Sequence, residues 1–286
     1  MLSRLLVFII WDMDPRVYTL KIFGSEWPIA WYSLLFAASF LCGQQVMRYV
    51  YKREHKPVAD VEILTLYVVM ATVVGARLGH YLFYEWELLI SAPGQWFKSM
   101  VSLPFRGLAS HGATLAILVA LYLYSRKRSG QRFLWVVDRM VIVASLSGVL
   151  IRLGNLMNSE IYGKPTNLPW GFVFVRETDP ELLPIVPRHP TQVYEALFCV
   201  VLLGLTGYLW KQKRHQLPEG FITGVFLVLL FSFRFLVEFL KTSQESFENS
   251  LALNMGQLLS IPVVLTGIVI LILVNKKSGP VLMAKG

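Results

Sequence analysis

Seven long apolar segments, separated by polar connections, dominate this sequence and restrict what it can fold into. They run roughly Ile29–Tyr51, Val61–Tyr84, Ala109–Ser125, Leu134–Gly154, Val193–Trp210, Gly220–Leu240 and Gly256–Val274. As helices rising about 1.5 Å per residue, such segments cross a hydrocarbon core of about 30 Å. Lipid offers no partner for backbone polar groups, so each segment must satisfy its own, and a helix does that. The chain is 55% hydrophobic and only 16% charged over 286 residues. A water-soluble domain of that length needs far more polar surface.

The connections alternate in character. KREHKPVAD (52–60), RKRSGQRF (126–133), KQKRHQLPE (211–219) and the tail after Asn275 are short and basic. Together they hold 13 lysines and arginines, against 9 in the longer connections of the other side. Lysine and arginine collect on the cytoplasmic side, so the net charge of +9 points to membrane orientation rather than to nucleic acid. The expected fold is all-α: a polytopic membrane protein with seven transmembrane helices. Its N-terminus is periplasmic and its C-terminus cytoplasmic. Residues 1–286 form a single integral membrane domain, with a periplasmic N-terminal arm (1–28) and a periplasmic head segment (155–192) between helices four and five. The opening MLSRLLVFIIWDMDP has a short apolar run and no small-x-small cleavage site, which favours a retained amphipathic arm on the outer interface over a signal peptide. Cys42 and Cys199 both fall inside expected spans, where a thiol packs as a small apolar group.

Five arginines lie within the apolar segments. Arg48 and Arg139 are near cytoplasmic ends and are expected to snorkel. Arg77 in GARLG, Arg152 in IRLG and Arg234 in FRFLVEF are different. Each sits on a span running outward, roughly 25 Å along the helix axis. Three cations at one depth are costly unless they are paired or face a wet cavity. Glu85, Glu160 and Glu238 are near them in sequence, and Arg234 and Glu238 are i, i+4 on one face. Partial neutralisation that leaves surplus positive charge suits an anion such as a phospholipid headgroup, because arginine binds phosphate with paired donors.

The run LIRLGNLMNSEIYG (150–163) adds Asn155, Asn158, Glu160 and Gly163 to Arg152. Arg152 and Asn155 share a helix side, Gly154 permits close approach, and the rest fall where the helix ends. Arg77-Leu-Gly and Arg152-Leu-Gly are each followed eight residues after the arginine by glutamate, a weak internal echo. His111 in SHG opens the third span on the outer side. RHPTQVYEA (188–196) carries Gln192 into the fifth, with Pro190 suited to a helix start. Tyr32 lies at the outer end of the first span. No HExxH or CxxC spacing is present, and neither a metal nor another cofactor is expected.

These residues resemble the prolipoprotein diacylglyceryl transferases of bacterial inner membranes. The resemblance rests on RLGNLMNSEIYGK (152–164) and is supported in order by WDMDP (11–15), AWYSLLF (30–36), GARLGHYLFY (75–84), SHG (110–112), RHPTQVYEA (188–196), FRFLVEF (233–239) and NMGQLLSIP (254–262). The chain departs from the family in HGATLA after the histidine, in Ile151 and Ser159 where glycine is usual, and in LKTSQE after FRFLVEF. The resemblance implies a reaction: the diacylglyceryl group of phosphatidylglycerol moves to the lipobox cysteine thiol of a preprolipoprotein, releasing glycerol phosphate. Phosphatidylglycerol and preprolipoproteins with lipobox signal peptides are then the partners, a monomer is expected, and the location is the bacterial inner membrane with the site toward the periplasm.

Such a transfer needs a thiolate, a neutralised phosphate leaving group and alignment of the two. Arg152 and Arg234 would hold the phosphate, and His111 is the candidate base. Tyr32, Asn155, Glu160 and Glu238 would orient headgroup and arginines. Arg77 and Gln192 would support them, with Asn158 and Gly163 completing the binding wall. Rival readings are a transporter of an organic anion or lipid using the same arginine layer, an intramembrane serine protease built on Ser145 and His111, and a membrane scaffold. The protease reading lacks the usual Gly-x-Ser-Gly arrangement, since Ala144 and Leu146 flank Ser145.

Overall fold

The computed structural model describes residues 8–22, 25–102, 107–176, 184–214, 216–242 and 253–277. The start of the arm, residues 1–7, and the end of the C-terminal tail lie outside these residues. In chain order the elements are β1 (Ile9–Trp11), β2 (Arg16–Ile22), β3 (Ser25–Ala30), α1 (Trp31–Arg53), α2 (Asp60–Phe83), α3 (Trp86–Ser91), α4 (Pro93–Val101), α5 (Ser110–Arg126), α6 (Phe133–Met157), β4 (Phe172–Phe174), α7 (Thr191–Lys213), α8 (Phe221–Val237) and α9 (Met255–Lys277). Each of the seven apolar segments forms one long helix. Among the described residues, five segments, Asp60–Phe83, Phe133–Met157, Thr191–Lys213, Phe221–Leu240 and Met255–Lys276, are long and apolar enough to cross a membrane. Of the other two helices, α5 has 17 residues, and α1 carries Gln44, Gln45 and Arg48 in its second half.

The all-α expectation needs correction in the arm and head. β2 and β3 form an antiparallel hairpin leading into α1. β1 pairs in parallel with β4 of the head, Ile9 opposite Phe172 and Trp11 opposite Phe174. Helical periodicity is missing here, while β-branched and aromatic residues are frequent, as in IIW and FVF. The described part of the arm therefore holds three short strands.

The chain divides into two compact units, residues 44–137 and the remainder, with the boundaries inside α1 and α6. In the smaller unit α2 and α5 touch through backbone. Gly75 and Gly79, four apart on α2, meet Gly112 of α5. A Cβ on Gly79 would stand 2.6 Å from Gly112 Cα, and one on Gly112 would stand 2.7 Å from Gly79 Cα. Small residues at that spacing let helices pack closely in lipid. The other end of this unit holds a buried polar cluster. Tyr51 and Tyr124 hydroxyls donate to Gln131 Oε1 at 2.8 and 2.6 Å, and Gln131 Nε2 donates to Asp60 Oδ2 at 2.6 Å. Such groups are tolerated in the interior because each finds a partner.

In the larger unit, α8 packs against both α7 and α9. Gly224 and Gly267 form another close contact: a Cβ on Gly267 would lie 3.0 Å from Gly224 O. Asp138 of α6 caps α8. Its carboxylate accepts from Gly220 N–H (2.7 Å), Thr223 N–H (2.8 Å) and Thr223 Oγ1 (2.6 Å). A carboxylate suits a helix N-terminus, where backbone donors are unpaired and the dipole is positive. Arg139 beside it is buried rather than snorkelling, with Nη1 3.9 Å from Asp138. Cys199 is buried as expected, whereas Cys42 is exposed.

Arm and head share a small core. Leu156, Tyr162 and Phe174 are buried together, with Trp11, Phe172 and Val193 packed around them. Trp11 Nε1 donates to Leu156 O at 3.0 Å, so the arm is tied to the last turn of α6. Outside, Arg176 meets Asp12 at 2.7 Å and Asp14 at 3.2 Å. Hydrogen bonds from Arg16 are the main cause holding the Asp14 carboxyl down to about 2.

Candidate active site

α6 ends at Met157 in a tight reversal that gathers its polar residues. Asn158 N–H bonds back to Gly154 O, Ser159 N–H to Leu156 O and Glu160 N–H to Asn155 O. Ser159 and Ile161 adopt φ of +54° and +59°, in the left-handed region that favours glycine. The turn brings Glu160 back over the helix end. Its Oε1 accepts from Asn155 Nδ2 at 2.8 Å and Asn158 Nδ2 at 3.3 Å. Asn155 Oδ1 in turn accepts from Arg152 Nη1 at 3.1 Å. Each amide is thereby oriented, its oxygen or nitrogen committed to one neighbour.

α7 locks this turn from the side. Gln192 Nε2 donates to Glu160 O at 2.6 Å, and Thr191 Oγ1 donates to Ile161 O at 2.8 Å. Pro190 stands at the N-cap of α7. His189 just before it is hydrogen-bonded to the Tyr194 hydroxyl at 3.2 Å, which also accepts from Trp170 Nε1 at 3.0 Å. Burial pushes the His189 imidazole below its ordinary range, favouring the neutral ring at pH 7. On the other side of α6, Tyr32 packs over Gly154: a Cβ there would sit 2.8 Å from the Tyr32 ring.

A line of alternating charges leads from Arg152 to Arg234. Arg152 Nε lies 3.2 Å from Glu195 Oε2. Glu195 Oε1 lies 3.1 Å from Lys241 Nζ, which lies 3.0 Å from Glu238 Oε1. Arg234 Nη2 is 3.8 Å from the same Glu238 oxygen. Glu238 Oε2 accepts from Asn254 Nδ2 at 3.2 Å. Asn254 and Gln257 cap α9 reciprocally, each side chain accepting from the other's backbone N–H. Gly256 makes room for Glu238, since a Cβ would meet its carboxyl carbon at 2.5 Å. Gly163 lies flat against the turn after α8, bridged to Lys241, and a Cβ there would be 2.6 Å from Leu240 O. Glu195 and Lys241 side chains are 8% and 3% exposed, Arg152 19% and Arg234 37%. The inner carboxylates are thus covered while the terminal guanidiniums keep open edges.

The larger unit therefore assembles Tyr32, Arg152, Asn155, Asn158, Glu160, Gly163, Gln192, Arg234 and Glu238. Glu195, Lys241 and Asn254 join them and were not singled out as site residues from the sequence. Lys241 looked like the first residue of an outer connection; its i, i+3 spacing from Glu238 was the available signal.

Arg77 and His111 belong to the smaller unit. Arg77 is buried. Its Nη2 and Nε donate to Ser99 O (2.6 Å) and Met100 O (2.8 Å), and Nη1 to Gly107 O (3.4 Å). It thus closes the C-terminal end of α4, where free carbonyls attract a cation, and stacks 4.7 Å from the Tyr81 ring. His111, in the first turn of α5, makes ring contacts with Phe83 (4.8 Å) and Tyr84 (5.9 Å).

Residues 19–273 match the family model of prolipoprotein diacylglyceryl transferase. The chain belongs to the prolipoprotein diacylglyceryl transferase family. Curated relatives agree over nearly their full lengths. A phosphatidylglycerol–prolipoprotein diacylglyceryl transferase of Porphyromonas gingivalis is 44% identical over 276 residues, covering 93% of this chain and 94% of the relative. One from Chloroherpeton thalassium is 41% identical over 264 residues, covering 92% and 93%. One from Bacteroides fragilis is 39% identical over 287 residues, covering 96% and 99%. Every expected site residue of this prolipoprotein diacylglyceryl transferase family member falls within the matched range.

Proposed function

We propose that this family member is a phosphatidylglycerol–prolipoprotein diacylglyceryl transferase. It moves the diacylglyceryl group of phosphatidylglycerol to the cysteine thiol of a prolipoprotein. The observation that carries the site assignment is the pair of partly open guanidiniums, Arg152 and Arg234, joined through Glu195, Lys241 and Glu238.

The reaction forms one S–C bond and breaks one C–O bond. The thiolate sulfur attacks the terminal glyceryl carbon, and the electron pair of the C–O bond leaves on the phosphate oxygen as glycerol phosphate. Arg152 uses Nε and Nη1 toward Glu195 and Asn155, which leaves the outer guanidinium edge for the phosphate. Arg234, held by Glu238, supplies a second cation. Their field stabilises the charge that grows on the leaving group and favours the thiolate over a thiol whose ordinary pKa is about 8.5. Glu160, Asn155 and Asn158 orient Arg152 and the headgroup, and Gln192 and Gly163 fix the turn that carries them. Tyr32 supports the helix face at Gly154. The proposed proton acceptor for the thiol is His111, on its residue type, and Arg77 supports the outer end of its own unit.

The multi-pass membrane placement follows from the apolar helices and the family. The finer placement is part of the proposal: seven spans, periplasmic N-terminus, cytoplasmic C-terminus, and a monomer in the bacterial inner membrane with the site toward the periplasm. Purified protein mixed with phosphatidylglycerol and a lipobox peptide tests the reaction. Mass spectrometry is expected to show a diacylglyceryl adduct on cysteine that a Cys→Ser peptide does not form. An unmodified cysteine peptide with folded protein would sink the assignment.

A further inference from the structure

Lys241 is buried between two carboxylates, and the arginines lie beyond them. Its ammonium is 3.1 Å from Glu195 Oε1 and 3.0 Å from Glu238 Oε1, and its side chain is 3% exposed. Each carboxylate also faces one arginine as an ion pair: Glu195 Oε2 lies 3.2 Å from Arg152 and Glu238 Oε1 lies 3.8 Å from Arg234. The main chain at Lys241 is held as well. Gly163 and Lys241 form a β-bridge, and Lys164 N–H donates to Leu240 O at 2.7 Å.

The signs decide what this arrangement does. Without Lys241, two carboxylates would balance two guanidiniums, and each arginine would be drawn onto its own partner. With Lys241, the line Arg152–Glu195–Lys241–Glu238–Arg234 carries one net positive charge. Glu160 is separated from it by amide hydrogen bonds rather than a direct ion pair. A buried carboxylate left with an unmatched oxygen would be costly, so Lys241 also sets the separation of Glu195 and Glu238.

We propose that Lys241 is a positioning residue: through Glu195 and Glu238 it holds Arg152 and Arg234 as one phosphate clamp and leaves that clamp a surplus positive charge. This rests on the transferase reading and assigns to the lysine the spacing and charge of its anion site.

The test uses the full chain in detergent, with phosphatidylglycerol and a lipobox peptide, and phosphatidylglycerol retention by native mass spectrometry as a second readout. Lys241→Met is expected to lower kcat/KM by about 10- to 100-fold, mainly through a higher KM for phosphatidylglycerol. Lys241→Arg, which can serve both carboxylates, is expected within about threefold of the parent. Removing one carboxylate as well, in Lys241→Met with Glu195→Gln, is expected to recover at least about fivefold over Lys241→Met, because the surplus positive charge returns. A Lys241→Met enzyme within about threefold of the parent, or a loss that the second substitution does not relieve, overturns the proposal. If Lys241→Met does not fold, Lys241→Gln, which keeps a donor without charge, takes its place with the same expectations. If the parent protein forms no adduct, the transferase reading fails, while lipid retention across the variants still decides whether Lys241 sets the anion site.

Discussion

Arg152 Nε stands 3.2 Å from Glu195 Oε2, joining the last turns of α6 to the first turns of α7. This contact commits one edge of the guanidinium to the protein, and Asn155 takes Nη1. The side chain is therefore already aimed before any anion arrives, which lowers the ordering cost of binding one.

Arg152→Lys keeps the charge but cannot hold Glu195, Asn155 and a phosphate at once. Adduct formation is expected to fall about a hundredfold with the melting temperature nearly unchanged. Initial rates from peptide mass spectrometry check this, and full activity in the lysine variant would remove the paired-donor argument.

Ser159 lies at φ +54°, and its hydroxyl is buried without a hydrogen-bond partner among the described residues. The family usually has glycine at this place. Ser159→Gly should relieve roughly 0.5–1 kcal/mol of backbone strain. Thermal unfolding in detergent should show a higher midpoint for the glycine variant; a lower one would mean that the hydroxyl has a stabilising role.

Gly112 allows α2 and α5 to touch, with the Gly79 Cα 2.7 Å from where a Cβ would be. Backbone cannot rotate away as a side chain can. Gly112→Ala is expected to destabilise by about 1–3 kcal/mol. Gly94, with nothing within 4 Å of an added Cβ, is the control, and its alanine variant should melt within a few degrees of the parent or above it, since alanine lowers unfolded-chain entropy by only about 0.4–1 kcal/mol.

The tie between arm and head should weaken in acid. The Asp14 carboxyl is depressed from 3.8 to about 2, chiefly by Arg16. A depressed carboxyl contributes stability that is fully present above pH 3.8 and is lost as pH falls through about 2. Protection of the Ile9–Trp11 amides, taken relative to the intrinsic exchange rate at each pH, should be high at neutral pH and fall across that acid window, and Asp14→Asn should remove that group's share of the change. Protection that stays flat across the window would show that Asp14 plays no part in holding the strand.

Seven long helices, five of them long and apolar enough to cross a membrane among the described residues, were legible because an apolar run in lipid must satisfy its own backbone hydrogen bonds. Arg152 and Asn155 could be paired on paper because helix geometry fixes i, i+3 neighbours, and Arg234 with Glu238 likewise. The strands of arm and head were not legible. Ile9–Trp11 finds its partner at Phe172–Phe174, more than 150 residues away, and no local period announces such a pairing. The echo between Arg77 and Arg152 was visible as spelling, yet the two sites differ. One guanidinium closes the end of α4 through carbonyls, and the other meets a carboxylate of α7. Lys241 illustrates the same division. By sequence it is a charged residue at the end of an apolar run. Buried between Glu195 and Glu238, it becomes the link between two arginines. Local patterns follow from backbone geometry and the solvent around it, whereas the meaning of a charge depends on which distant groups share its low-dielectric surroundings, and packing sets that.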